Sequence, residues 1–559
     1  MLVKPHYQEI PVIPPTNYHN ILFHTSPSQD YVIHIDTHSG QQRTRFEFMD
    51  RIKLAATALT GCLQDRNGND FVGIVAFNSS EFIVLFHALI YLATPFVIVS
   101  PTATKKELAG LFSQVPISHI FASSEILDNL KLSLSEFPDR KIFTLDSCVS
   151  NHAYFTSLVD QPMVQMDSLG ARPAQPSTVA YLIFSSGTGG FPKPVTITHG
   201  NLIGTLLQIA IKEGVLGKQT PQTGHTKTPA IWLNFLPSSL AMGCNMLTMT
   251  GFLVPATIFI LKQFDVEQVI KLIERHHVEL MSATPGYLQQ ILFSPLLQNS
   301  DLSSVKTLLC AGANLPPSIV RGLKKSMGNA LYISEGYGLT EVTMGAIGTP
   351  TPGILKDVSP PPECTGVLWP GLEARIVRED GMEAEYGETG ELLLKGPNVS
   401  SGYYANPQAN HTTFLEGGWI CTGDHFKVDN KGFFFFQDRK KDTLKSPMGT
   451  QISPVELENT LLNQPDGLIS DIVVAGVHIL DVGASVEKVP RAWIVLTDAG
   501  QSLGADKVFK RLDIWIKESL HEHKWMRGGF EVVNEIPKSW MQKPLKYMLQ
   551  EKFELQKDA

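Results

Sequence analysis

Residues 181–199 read YLIFSSGTGGFPKPVTITH. A short apolar strand runs into a cluster of serines, glycines and a threonine, and then into a lysine between two prolines. Glycine lets a backbone turn its N–H groups inward, where they can line an anion. Ser185, Ser186 and Thr188 add hydroxyl donors, Gly187 and Gly189 add freedom to turn, and Lys193 adds a positive charge. Together these residues describe a loop that wraps a polyphosphate. It is not a Walker A loop, because Pro192 and Pro194 flank the lysine and the GK[ST] ending is missing.

The surroundings give this loop its setting. Residues 71–77 read as a buried strand, 81–92 as a helix, 96–99 as a strand, 105–114 as a helix and 118–122 as a strand. The rhythm recurs at 257–261, 266–276, 279–282, 285–293 and 307–310. Alternation of this kind predicts parallel sheets covered by helices. From about residue 372 the texture changes to short strands and Gly-rich turns, the mark of a smaller antiparallel, barrel-like subdomain. The charge cluster DRKKD at 438–442 reads as a linker. The expected organisation is an α/β domain over 1–437, a hinge at 438–442 and a small mobile α+β domain over 443–559.

Composition narrows the class. The chain has 559 residues, too many for one core, with 43% hydrophobic and 18% charged residues, so it is globular rather than disordered. A net charge of -8 without a basic run argues against nucleic acid as a partner. Six thinly spread cysteines fit a reducing compartment. The start carries no signal-peptide core and the end no SKL-type address, so a cytoplasmic protein is expected. The uncharged runs 82–100 and 229–261 are broken by prolines and glycines and lack basic flanks, which predicts buried core rather than a membrane span.

SSGTGGFPK resembles the signature loop of the adenylate-forming (AMP-binding) superfamily, in its acyl- and aryl-CoA synthetase (4-coumarate–CoA ligase-like) branch. Four further stretches match that family in order: EGYGLTE at 335–341, GELLLKGP with SGYYANP at 390–407, WICTGD at 419–424, and IPKSWMQKPL at 536–545. The resemblance implies ATP contacts from Ser185, Ser186, Gly187, Thr188, Gly189, Lys193, Glu335, Gly336, Tyr337 and Thr340. It implies Mg²⁺ at Glu341, ribose contacts from Asp424 and Arg439, and a hinge at Lys441. Lys543 falls on the family's catalytic lysine, with Thr188 and Glu341 beside it in the chemistry. An ammonium suits that role, since adenylation gathers negative charge between the carboxylate and the α-phosphate.

Ser239, Leu240, Ala311, Gly312 and Gly338 fall on the acid pocket of relatives, and Lys445 and Gly449 on the side that receives the thiol. Leu240 stands where relatives often carry a ring, which predicts an apolar wall and a hydrophobic acid. The sequence departs from the family where Gly189 follows Thr188, where Pro194 follows Lys193, across KSPMG at 445–449, and at Gln542. The implied reaction makes an acyl-adenylate from acid and ATP and passes it to the thiol of CoA. The alternatives are transfer to a carrier-protein phosphopantetheine in trans, a luciferase-like oxygenase, and a nucleotide-binding protein without catalysis.

Overall fold

The fold is taken from a computed structural model. It describes the chain except for residues 1, 26–28, 67, 135–138, 162–169, 186–191, 217–227, 314, 356–358, 362–363, 440–441, 443, 446–450, 479–487, 539–543 and 558–559.

Two mostly parallel sheets dominate. In the seven-stranded sheet Phe71–Val75 is central, with Phe96–Val99 on one side and Ile117–Ala122 on the other, all parallel. Val179–Phe184 extends it in parallel, and Pro194–Thr198 closes that edge antiparallel. The nine-stranded sheet carries a parallel run of Val32–Asp36, Ala256–Ile260, Ala230–Asn234, Leu280–Ala283, Thr307–Ala311 and Tyr332–Tyr337. The alternation expected from sequence is therefore borne out.

The first membrane-like run becomes the helix Ser80–Tyr91, buried at every position, followed by the buried strand Phe96–Val99. A helix that is apolar all round needs apolar surroundings on every side. Phe86 packs on Phe96 and Tyr181 of one sheet, with ring centroids 5.2 and 5.5 Å away, while His87 lies 5.2 Å from Phe252. Ser79 caps the helix by accepting from the Phe82 N–H. The second run divides into a strand, the helix Ala241–Thr248 and another strand. No described helix is long and apolar enough to cross a membrane.

The third sheet is antiparallel and open, and holds Glu373–Val377, Gly390–Lys395, Trp419–Val428 and Phe434–Arg439. Its last strand continues through Asp438 and Arg439, two residues beyond the boundary read from the charge cluster. Ser453 takes up Asp438 there, donating to its Oδ2 at 3.0 Å. Beyond it, Ile469–His478, Lys488–Leu496 and Phe530–Val532 form a separate three-stranded sheet. Helices Pro454–Leu462 and Ala505–Ser519 cover it with their own apolar core.

Candidate active site

The site gathers at the carboxyl ends of the parallel strands, where open α/β sheets bind ligands. Ala311 ends one strand and sits in register with Gly336 on the next. There a cavity of about 630 Å³ opens, within the roughly 300–1,000 Å³ usual for small-molecule sites. It is lined by Ser185, Lys193, Leu240, Ala311, Gly312, Glu335, Gly336, Tyr337, Gly338, Thr340, Glu341, Asp424 and Arg439. Thirteen positions marked from sequence alone thus share one cavity. Ser186, Gly187, Thr188, Gly189, Lys441, Gly449 and Lys543 lie outside the described residues. Lys445 lies on the short strand Leu444–Lys445.

The phosphate-loop candidate is a hairpin connection. Phe184 pairs with Pro194 across the two strands. The Ser185 N–H donates to the Lys193 carbonyl at 2.9 Å, and the Lys193 N–H donates to Ser185 Oγ at 3.2 Å. Two cross-links therefore pinch the loop shut at its base.

On one side of the cavity Asp424 and Arg439 face each other across antiparallel strands, with Arg439 Nε 3.4 Å from Asp424 Oδ1. The Tyr337 hydroxyl donates to Asp424 Oδ2 at 2.7 Å. Burial, followed by the charge of Asp424, pushes the Tyr337 phenol well above its ordinary 10, so it stays a donor. The Tyr337 ring is held edge-on by Phe426, with centroids 4.8 Å apart.

On another side Glu341 sits in the one-turn helix Thr340–Val342. The Tyr403 hydroxyl donates to its Oε1 at 2.8 Å. Lys193 Nζ lies 4.9 Å from the centroid of the same Tyr403 ring, within cation–π range. One tyrosine thus holds the candidate phosphate lysine with its face and the candidate metal carboxylate with its hydroxyl. The sequence motifs assign no role to Tyr403. Its signal was there, because Tyr403 lies inside a stretch shared with the family. Glu391 was missed as well, and it accepts from the Gly423 N–H at 3.2 Å beside Asp424.

No group of three His, Cys, Asp or Glu side chains suited to a metal occurs among the described residues. A lone carboxylate still fits Mg²⁺, which takes one or two carboxylates and fills its shell with phosphate oxygens and water. Glu341 has one oxygen on Tyr403 and no further hydrogen-bond partner for the other among the described residues. Glu335 also lines the cavity, and burial pushes its carboxyl up to about 7.

The remaining wall is apolar: Leu236, Leu240, Met242, Met246, Ile209 and Ile347. Ser239 does not belong to it. With Pro237 and Ser238 it lines a second cavity of about 320 Å³ that also includes Asn78, Lys262 and Tyr287. The turn 236–240 is therefore a wall between two cavities, because neighbouring residues of a turn point to opposite sides. Asn78 ties it down, donating to the Leu236 carbonyl at 2.9 Å and accepting from the Ser238 N–H at 2.8 Å. Gly243 fits beneath it, where a Cβ would fall 2.2 Å from the Pro237 oxygen.

Together the fold and the cavity are those of an α/β enzyme with a charged compartment beside an apolar one. The model of the AMP-binding enzyme family matches residues 24–404, so the chain belongs to that family. It is 29% identical over 543 residues to a probable 4-coumarate–CoA ligase 3 of Dictyostelium discoideum, covering 93% of this chain and 92% of that one. It is 28% identical over 576 residues to the acyl-CoA ligase frbB of Dothideomycetidae sp. (strain 11243), covering 98% of each. ATP-bound MatB from Rhodopseudomonas palustris shares the fold, with a TM-score of 0.81 at 20% identity over 96% of this chain and 98% of that one. Among such relatives the chain is an AMP-forming ligase.

Proposed function

We propose that this enzyme activates a hydrophobic carboxylic acid with ATP and passes the acyl group to the thiol of CoA. The observation that carries the proposal is the shared cavity. Lys193, Glu341, Asp424 and Arg439 stand in its charged part, and Leu236, Leu240, Met242 and Met246 in its apolar part. The acid carboxylate attacks the α-phosphorus, the bond to the bridging oxygen breaks, and pyrophosphate leaves with its electron pair. Lys193 neutralises phosphate charge at the neck of its hairpin. Asp424 accepts from the ribose hydroxyls, held in place by Tyr337 and Arg439. Glu341 would hold Mg²⁺, which supplies charge neutralisation on the phosphates. The thiol then attacks the acyl carbon and AMP leaves, with no nucleophile needed from the protein.

Lys543 is assigned to the developing charge at the α-phosphate, on a domain of residues 443–559 that turns about Lys441. The names of the relatives support CoA as acceptor. The test is pyrophosphate release across fatty, aryl and amino acids, with and without CoA. Pyrophosphate release with acyl-CoA formation is expected. Pyrophosphate release without acyl-CoA, relieved by a phosphopantetheinyl carrier protein, would move the acceptor. Undiminished ATP–pyrophosphate exchange in Lys543→Ala would sink the role of that lysine.

A further inference from the structure

Helix His199–Lys212 presents Ile209 and Lys212 to the cavity, three residues apart and so on one face. Lys212 is only 7% exposed, unusual for a lysine unless it is paired. Its ammonium lies 3.2 Å from the Glu213 carboxylate and 5.8 Å from the centroid of the Trp369 ring. The last turn of a helix, with its unpaired carbonyls, also favours a cation. Glu213 is itself shared, since the Thr351 hydroxyl donates to it at 3.2 Å. An ammonium has three donors, and among the described residues only Glu213 takes one.

This cation is distinct from the one at the phosphate loop. Lys193 meets the cavity over the ring of Tyr403, and Lys212 meets it over the ring of Trp369. Trp369 packs on Gly345 and Gly348, where a Cβ would lie 2.6 and 3.1 Å from its ring. Through Trp369, Lys212 therefore meets the cavity at the segment after Glu341.

We propose that Lys212 determines specificity: the acid taken by this cavity carries, at the end remote from its carboxylate, a neutral oxygen that accepts from the Lys212 ammonium. A hydroxyl or a carbonyl fits that description. The inference rests on the adenylating function proposed above and narrows its substrate. A wholly apolar tail would lie against an ammonium whose remaining donors have no acceptor among the described residues, which is costly once the acid displaces water. A second carboxylate is disfavoured for another reason. Glu213 already neutralises Lys212, Asp424 pairs with Arg439, and Lys193 is assigned to the phosphates, so a second carboxylate would compete for cations already engaged. A hydroxyl meets both partners, accepting from Lys212 and donating to a carboxylate.

The test is pyrophosphate release by the full-length enzyme with matched acids. Straight-chain and aryl acids are each paired with the ω- or para-hydroxyl analogue and with the dicarboxylic analogue. The hydroxylated acid is expected to exceed its plain partner in kcat/KM by about 10- to 100-fold, the usual range for a hydrogen bond to a charged group. Lys212→Met, which keeps the length of the stem, should erase that preference through KM. Lys212→Arg, which keeps the charge, should keep part of the preference. Equal kcat/KM for plain and hydroxylated acids in the parent enzyme overturns the inference, and needs no variant to fold. A preference unaltered in Lys212→Met also overturns it, as does a preference for the dicarboxylic acid, and in each case adenylation itself still stands. Absence of pyrophosphate release with every acid overturns both.

Discussion

Replacing Glu335 with glutamine should stabilise the protein at pH 8 and stabilise it much less at pH 5. Burial raises the Glu335 carboxyl from an ordinary 4.5 to about 7. Between those values the folded protein keeps a proton that the unfolded chain has released. Stability therefore falls as pH rises from about 4.5 to about 7, and the loss is complete above 7. At about 1.4 kcal/mol for each tenfold in proton affinity, the gap sets a ceiling of about 3.4 kcal/mol. The carboxyl faces a cavity rather than a sealed core, so water screens it and roughly 1–2 kcal/mol is expected. Glutamine has the same shape and does not titrate. The assay is urea unfolding of both proteins at pH 5 and pH 8. A difference in stability between parent and variant that stays the same at the two pH values would refute the argument, whatever its size.

Tyr403→Phe keeps the ring under Lys193 and removes the hydroxyl from Glu341, so kcat/KM for MgATP should fall about 10- to 100-fold, read by ATP–pyrophosphate exchange against Mg²⁺ concentration. Asp424→Asn removes the charge that Tyr337 and Arg439 share and that the proposed function gives to the ribose, and AMP affinity measured by calorimetry should drop by a similar factor. His34 is buried and its imidazole is lowered to about 3, first by burial and then by Arg43. Acid must therefore charge the unfolded chain first, and stability falls as pH drops below about 6.5. His34→Leu should flatten that limb by about 2 kcal/mol between pH 7.5 and pH 5. Gly338→Ala places a Cβ 2.1 Å from the Met344 oxygen, and a loss of about 1–3 kcal/mol should appear in thermal unfolding.

Much of this molecule is legible in its sequence because its strands are buried on both faces. Continuous apolar runs such as FVGIV and FVIV have few other places to sit, and the strands Phe71–Val75 and Phe96–Val99 appear where those runs fall. The charged part of the cavity was legible through motifs that lie far apart in the chain and meet at strand ends. What was not legible depends on direction rather than identity. Ser239 was assigned beside Leu240, yet a tight turn sends the two into different cavities. Asp438 reads as a linker residue because charges usually face water, but it is buried, and Ser453 donates to it from further along the chain. A lysine at the end of a helix, such as Lys212, looks solvated until Trp369 closes over it.

The turn between the two cavities has a thermodynamic consequence. It is pinned by Asn78 on one side and backed by the bare backbone of Gly243 on the other. Such a wall transmits little, because coupling needs an element with two arrangements for both ligands to bias. The two compartments should then fill independently, so that saturating one leaves the apparent affinity of the other unchanged.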